Sequence, residues 1–247
     1  MSSVAPLSLP EAFALIDATW PAAAVHQIGP FTLREGRGAG SRVSSASVET
    51  PYAQADLEAV IAAHRALGQV PKFQIRPGLP GNDALEAVLA AQGYEVADAT
   101  VIYTAPIETL TGEVPPVTAF AHWPPLAIAR ELWESAGIGP ARQAVMARAA
   151  GPKACVLGRK QDRAAGAMFI GLSGERAMIH ALVVLPEMRR RGLARAMIHE
   201  GARWAAEAGA RELALVVTRA NAGANALYLS MGMVEAGGYH YRREATQ

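Results

Sequence analysis

From Ala181 to Met197 the chain reads Ala181-Leu182-Val183-Val184-Leu185-Pro186-Glu187-Met188-Arg189-Arg190-Arg191-Gly192-Leu193-Ala194-Arg195-Ala196-Met197, and no other stretch limits the possible folds as much. It spells an apolar strand, a short turn containing a proline, and a helix whose first turn carries arginines. The N–H groups of a helix's first turn have no partner within the helix, and the macrodipole adds partial positive charge there. Gly192 and Ala194 are too small to cover those groups, so an anion such as a diphosphate can reach the backbone.

The spacing R-x-x-G-x-A, following a strand that ends V-x-P at Val184-Leu185-Pro186, resembles the acetyl-CoA signature of the GNAT N-acetyltransferases. The resemblance implies that Arg189, Arg190, Arg191, Gly192, Leu193 and Ala194 wrap the coenzyme A pyrophosphate. It also implies that Leu182, Val183 and Val184 pair with the pantetheine arm. A second apolar strand, Glu212 to Thr218, precedes Asn221, Ala224, Asn225 and Tyr228, and then Met231-Gly232-Met233. That order is similar to the second GNAT signature, N-x-x-A-x-x-x-Y before an x-G-F/M turn. The resemblance covers about Phe120 to Glu244 and is strongest from Ala177 to Tyr241. It implies an acetyl-CoA-dependent N-acetyltransferase, an acyltransferase that moves the acetyl group directly to a primary amine of a small molecule or peptide in a ternary complex.

Such a transfer needs a neutral amine, charge stabilisation at the thioester carbonyl and a proton for the departing thiolate. Main-chain N–H groups near Val183 and Val184 are candidates for the carbonyl. Tyr228 is the candidate acid: it stands on one helical face with Asn221 and Asn225, and the resemblance turns that face toward the thiol end of the cofactor. The alternatives are a core tyrosine for Tyr228 and a helix N-cap for Asn221. Many family members carry a glutamate on the central strand, whereas Ala177 to Leu185 holds no carboxylate. His180 is the titratable side chain there, and strand alternation puts it on one face with Leu182 and Val184. It reads as a base or as a hydrogen-bonded structural histidine. Glu134, Tyr239, His240 and Tyr241 are held in reserve.

The Pro-rich segment Thr111 to Val117 suits neither a helix interior nor a central strand and divides the chain. The expected domains are 1–112, a degenerate GNAT-like unit, and 117–247, the catalytic unit. The expected fold class is α/β (α+β), two units each built on a central mixed β-sheet flanked by helices. In the first half, helices are expected over Leu9–Trp20, Ala53–Leu67 and Asn82–Gln92. Strands are expected over Phe31–Arg34, Arg42–Val48, Lys72–Arg76 and Glu95–Thr104. In the second half, helices are expected over Pro124–Ser135, Pro140–Ala150, Arg190–Ala208 and Ala222–Met231. Its strands are Ala154–Leu157, Ala165–Leu172, Ala177–Leu185, Glu212–Thr218 and Met233–Arg242. Leu85–Tyr94 is a degraded echo of Ala226–Met233, which points to an internal duplication. The loop Arg76–Asn82 lacks the R-x-x-G-x-G/A spacing, so no second coenzyme is expected in the first half.

Other chemistries find little footing. Gly36-x-Gly38-x-Gly40 runs into a strand-like stretch and reads as a hairpin turn, not a dinucleotide fingerprint. The six histidines lack the paired spacing of a zinc site, so no metal is expected. Neither a P-loop nor a G-x-S-x-G elbow occurs. The formal net charge of +1 in 247 residues gives no field that argues for nucleic acid or a membrane surface as partner. The one cysteine, Cys155, excludes an internal disulfide and reads as a small buried apolar residue. No signal peptide or membrane-length apolar run is seen, so a cytoplasmic monomer or homodimer is the expectation. Two rivals stand beside the acetyltransferase: a non-enzymatic acyl-CoA-binding sensor or interaction module of the same fold, and a transferase for longer acyl chains or hydroxyl acceptors.

Overall fold

The computed structural model describes residues 7–245. In chain order the elements begin with helix α1 (Leu9–Thr19), strands β1 (Ala24–Ile28), β2 (Phe31–Glu35) and β3 (Ala46–Val48), and helix α2 (Gln54–Ala66). Strand β4 (Lys72–Ile75), helix α3 (Asn82–Ala91), strand β5 (Glu95–Pro106) and the short helix α4 (Ile107–Leu110) follow. Next come strand β6 (Ala119–His122), helices α5 (Ala127–Ser135) and α6 (Pro140–Arg148), and strands β7 (Lys153–Lys160), β8 (Arg163–Ser173) and β9 (Arg176–Val184). The chain closes with helix α7 (Leu193–Glu207), strand β10 (Glu212–Thr218), helix α8 (Ala222–Ser230) and strand β11 (Val234–Arg243).

Two compact units divide these elements. One comprises Met1–Pro21, Ile102–Val217 and Asn221–Ala236, the other Ala22–Val101, Thr218–Ala220 and Gly237–Gln247. The units therefore interleave along the sequence: α1 packs with the first, and the last turn of chain with the second.

In the first unit the strands run β5-β10-β9-β8-β7-β6. Strands β6 to β9 pair antiparallel in succession, and β9 pairs β10 in parallel. A parallel step needs a long crossover, which α7 supplies. Its buried residues Leu193, Ala196, Met197, Gly201 and Ala205 recur at helical spacing and lie against the sheet. At Gly201 the helix lies close to the sheet: an added Cβ would stand 2.6 Å from Met168 Cε, and the end of that side chain would have to shift. Helices α1 and α5 cover the opposite face, where Thr19 meets Gly171 and the rings of Trp20 and Phe169 stand 6.1 Å apart.

In the second unit the order is β1-β2-β3-β4-β11. Strands β1 to β3 pair antiparallel, β3 pairs β4 in parallel across α2, and β4 pairs the end of β11 antiparallel. Phe31, Leu33, Leu57, Phe73, Ile75, Leu85 and Leu89 fill its core. The same succession thus recurs: an antiparallel three-strand run, a crossover helix, a parallel strand and a second helix. The mixed, helix-flanked sheets are those expected from the sequence.

Most elements lie within a few residues of their expected limits. Three were not anticipated: the strands β1 and β6 and the single-turn α4. The expected strand Arg42–Val48 shortens to Ala46–Val48, because Ser41–Val43 form a 3₁₀ turn whose exit is held by a 2.9 Å hydrogen bond from Ser44 Oγ to the Gly40 carbonyl. The long helix starts at Leu193, three residues later than expected, since Arg190 and Gly192 are left-handed with φ of +60° and +80°. Among the described residues no helix is long and apolar enough to cross a membrane.

Candidate functional site

The residues assigned to the site from the two signatures and the central strand fall in the first unit, as does Glu134, whereas the reserves Tyr239, His240 and Tyr241 fall in the second. Strand β9 is central to it. Its parallel pairing with β10 joins Arg176–Ile179 to Glu212–Leu215 and goes no further. Just beyond, Ala181 adopts φ +52°, and the register with β8 jumps from Phe169↔His180 to Ala167↔Val183. Ala181 and Leu182 together stand opposite Met168, which is a β-bulge. Trp133 on α5, fully buried, donates its indole N–H to the Ala181 carbonyl at 2.8 Å.

The bulge corrects the alternation expected for this strand. His180 and Val183 share the face of Phe169 and Ala167, under α1 and α5, while Val184 falls on the α7 face, close to Gly166. His180 therefore does not share a face with Leu182 and Val184. The Leu185 N–H donates to the Ala165 carbonyl at 2.9 Å. Alternation back from there turns the Val183 amide toward β8 and the Val184 amide away from it, to the side where β10 is no longer paired. The Val184 carbonyl points the same way and accepts from Arg189 Nε at 3.1 Å. Of the two amides considered for the carbonyl, Val184 is the one so directed.

His180 is only 3% exposed. Its ring lies 5.0 Å from that of Trp20, and its Nε2 is 2.8 Å from Thr19 Oγ1. The Thr19 hydroxyl spends its single proton on the Leu15 carbonyl at 2.7 Å, so His180 must donate from Nε2. The placement is that of the structural alternative, a buried histidine tying β9 to α1.

The start of α7 has no side-chain cap, and its first internal bond is from the Ala196 N–H to the Gly192 carbonyl. The amides of Leu193, Ala194 and Arg195 precede that bond and have no partner in the helix. Nothing lies within 4 Å of a Cβ built on Gly192, so the space above these amides is open. Among the described residues the exposed Arg190 and Arg191 make no hydrogen bond or ion pair. Arg195 reaches Ser230 Oγ on α8 at 2.7 Å. A depression of about 200 Å³ opens beside this turn, lined in part by Thr118, Lys160, Arg191, Arg195 and His199. Lys160 and His199 carried no motif in the sequence and come to this place only through the tertiary fold.

On α8, Asn221 caps the helix by accepting from the Ala224 N–H at 3.2 Å. Asn225 donates to the Asn221 carbonyl at 2.7 Å and accepts from the Tyr103 hydroxyl at 3.1 Å. Tyr228 is 6% exposed, with its ring 6.0 Å from that of Tyr103. Among the described residues its hydroxyl has no hydrogen-bond partner. Burial pushes the phenol up to about 12, so it keeps its proton at any physiological pH. Cys155 is buried in β7 with its thiol likewise pushed up to about 12, which makes it inert.

The second unit offers no equivalent helix start. In α2, the counterpart of α7, Asp56 accepts from the Ala53 N–H at 2.8 Å and puts an acid in the first turn. In α3, the wholly buried Asn82 side chain donates to the Val48 carbonyl and accepts the Arg76 N–H. Neither helix start has a side-chain cap, but Asp56 puts an acid at that of α2, and at that of α3 a Cβ built on Gly81 would stand 2.4 Å from the Thr50 carbonyl oxygen, so the space left open at Gly192 is filled there. Among the described residues no group of three or more His, Cys, Asp or Glu is placed to hold a metal.

Residues 120–233 match the model of the acetyltransferase (GNAT) family. No curated protein matches in sequence. Among solved structures, a GCN5-related N-acetyltransferase from Kribbella flavida is similar with a TM-score of 0.73 and 17% identity, over 99% of this chain and 98% of that one. A functionally unknown conserved protein from Staphylococcus epidermidis gives a TM-score of 0.69 at 12% identity, over 92% and 96% of the two chains. A tandem GNAT protein from the clavulanic acid biosynthesis pathway gives 0.60 at 15% identity, over 99% and 92%. At such identities the likeness is one of fold.

Proposed function

We propose that this protein is an N-acetyltransferase that uses acetyl-CoA and transfers the acetyl group directly to a primary amine in a ternary complex. The observation that carries the reading is the uncapped start of α7, with open space above Gly192 and two unpaired arginines beside it. Backbone amides and guanidinium groups suit a diphosphate, and the acid in the first turn of α2 would repel one. The reading thus assigns one coenzyme site to the chain, in the first unit, with the second unit as its degenerate counterpart; these interleaved units take the place of the expected division at 112–117.

Acetyl-CoA supplies the acetyl group already activated as a thioester. Arg190, Arg191 and the amides of Leu193 and Ala194 hold the diphosphate, with Arg189 alongside. Strand β9, unpaired with β10 beyond Ile179, offers Leu182, Val183 and Val184 to the pantetheine amides. The Val184 N–H stabilises negative charge as it develops on the carbonyl oxygen. Tyr228, still protonated, donates toward the departing sulfur, and Asn221 and Asn225 hold its helix in place. His180 positions β9 against α1 in this scheme, and the amine proton leaves to solvent.

Calorimetry with acetyl-CoA tests the site. Gly192→Glu adds a carboxylate where the diphosphate sits and should abolish binding. Gly192→Ala, which adds only the cost of a left-handed alanine, should weaken it by roughly tenfold or less. Equal binding by wild type and the glutamate variant would remove the assignment. The absence of a carboxylate on β9 and the burial of His180 favour one second reading, a GNAT-fold module that binds acyl-CoA without turnover. Release of free thiol from acetyl-CoA with a panel of amines separates the two.

A further inference from the structure

The acetyltransferase reading uses the Val184 amide, and that amide's direction depends on the bulge. If Ala181 alone stood opposite Met168, every later residue of β9 would move by one position against β8. Val183 would then turn its amide away from β8 and Val184 would turn toward it, because alternation along a strand is strict. The extra residue therefore selects which amide meets the thioester. Yet the bulge rests on an alanine with φ +52°, a conformation that L-residues rarely hold unless their surroundings impose it. One such imposition is visible: the indole of Trp133, fully buried on α5, donates to the Ala181 carbonyl at 2.8 Å.

We propose that Trp133 is a positioning residue, whose N–H fixes the Ala181 bulge and thereby points the Val184 amide at the thioester carbonyl. The inference rests on the reading of the site as an acetyl-CoA site, and it adds a residue that lies outside both signature motifs. Trp133 is 48 positions from Ala181 in sequence, and nothing in its neighbourhood marks it out from core packing.

The test reads carbonyl polarisation without requiring the acceptor. Infrared difference spectra of acetyl-CoA isotope-labelled at the thioester carbonyl are recorded with wild type, Trp133→Phe, Ala181→Gly and the double variant. Calorimetry on each gives the affinity. Wild type should lower the carbonyl stretch relative to free acetyl-CoA. Trp133→Phe should lose at least roughly half of that shift while its affinity changes by less than about threefold. Glycine holds a left-handed φ freely, so Ala181→Gly in the Trp133→Phe background should restore the shift. Replacing the indole by its benzothiophene analogue, which keeps the shape and removes the N–H, should reproduce the loss if Trp133→Phe does not fold. A full shift in Trp133→Phe or in the analogue overturns the proposal. So does a loss that glycine fails to restore, since it would mark Trp133 as packing alone. Wild-type binding without any carbonyl shift also overturns it, whereas no wild-type binding at all refutes the acetyl-CoA reading itself.

Discussion

Tyr228, proposed above as the acid, shows how burial holds a proton in place. Its phenol titrates at about 12, while an ordinary thiol titrates near roughly 8.5, so complete proton transfer to a thiolate would be uphill by about 5 kcal/mol. In the proposed role the side chain would act chiefly by hydrogen bonding to charge as it builds on sulfur. Replacing it with phenylalanine is expected to lower kcat by roughly ten- to a hundredfold and to leave acetyl-CoA affinity within about threefold. Steady-state kinetics beside calorimetry checks this, and full activity in the variant would return Tyr228 to the core. Since the wild-type proton stays in place until about pH 12, the pH–rate profile from about pH 7 to 10 should keep its shape in Tyr228→Phe. A wild-type alkaline limb in that range that vanishes in the variant would contradict the assignment.

Helices α7 and α8 stand one strand apart in sequence and treat their N-termini in opposite ways. Asn221 satisfies α8, whereas α7, the longest helix described, is left without a side-chain cap. A missing cap forgoes about 1 kcal/mol, a cost that an anion at the helix start would offset. Asn221→Ala should accordingly lower stability by about 1 kcal/mol and Asn221→Asp by much less, read from urea midpoints. Equal losses in both would mean that the capping bond contributes nothing. The two signatures were legible because each binds residue types to a fixed spacing over a short local stretch. Bulge and pinning bond left no such trace, because alanine at position 181 looks like any strand residue and its partner is remote. The face expected for His180 was wrong for the same reason: regular alternation was assumed across a strand that is not regular.

At the scale of the whole molecule, the second unit carries a built-in acid sensitivity. His64, on the face of α2 that Leu57 and Val60 share, is fully buried, and among the described residues no hydrogen bond of normal geometry reaches either ring nitrogen. Burial lowers its pKa from 6.5 to about 4, an effect that the nearby Lys72 backbone offsets only in part. With the folded value depressed, its contribution to stability is complete above about pH 6.5 and is lost as pH falls toward 4. The loss amounts to about 3 kcal/mol. His64→Leu should remove most of the difference between urea midpoints measured near neutrality and near about pH 4.5. An unchanged difference would exclude His64 as its source.

Periodicity, the two signatures and the small residues at the start of the long helix made the fold class, the open turn before the long helix and the repeated halves readable before any coordinates, because those features depend on neighbours within a few residues. The exchange of last strands, with β5 beside β10 and β11 beside β4, arises from pairing between distant segments. So do the bulge at Ala181, the capture of His180 by Thr19 and the indole bond from Trp133. Contacts of this kind are selected by packing and backbone hydrogen bonding once the chain is compact, and a linear pattern of residue types carries no record of them.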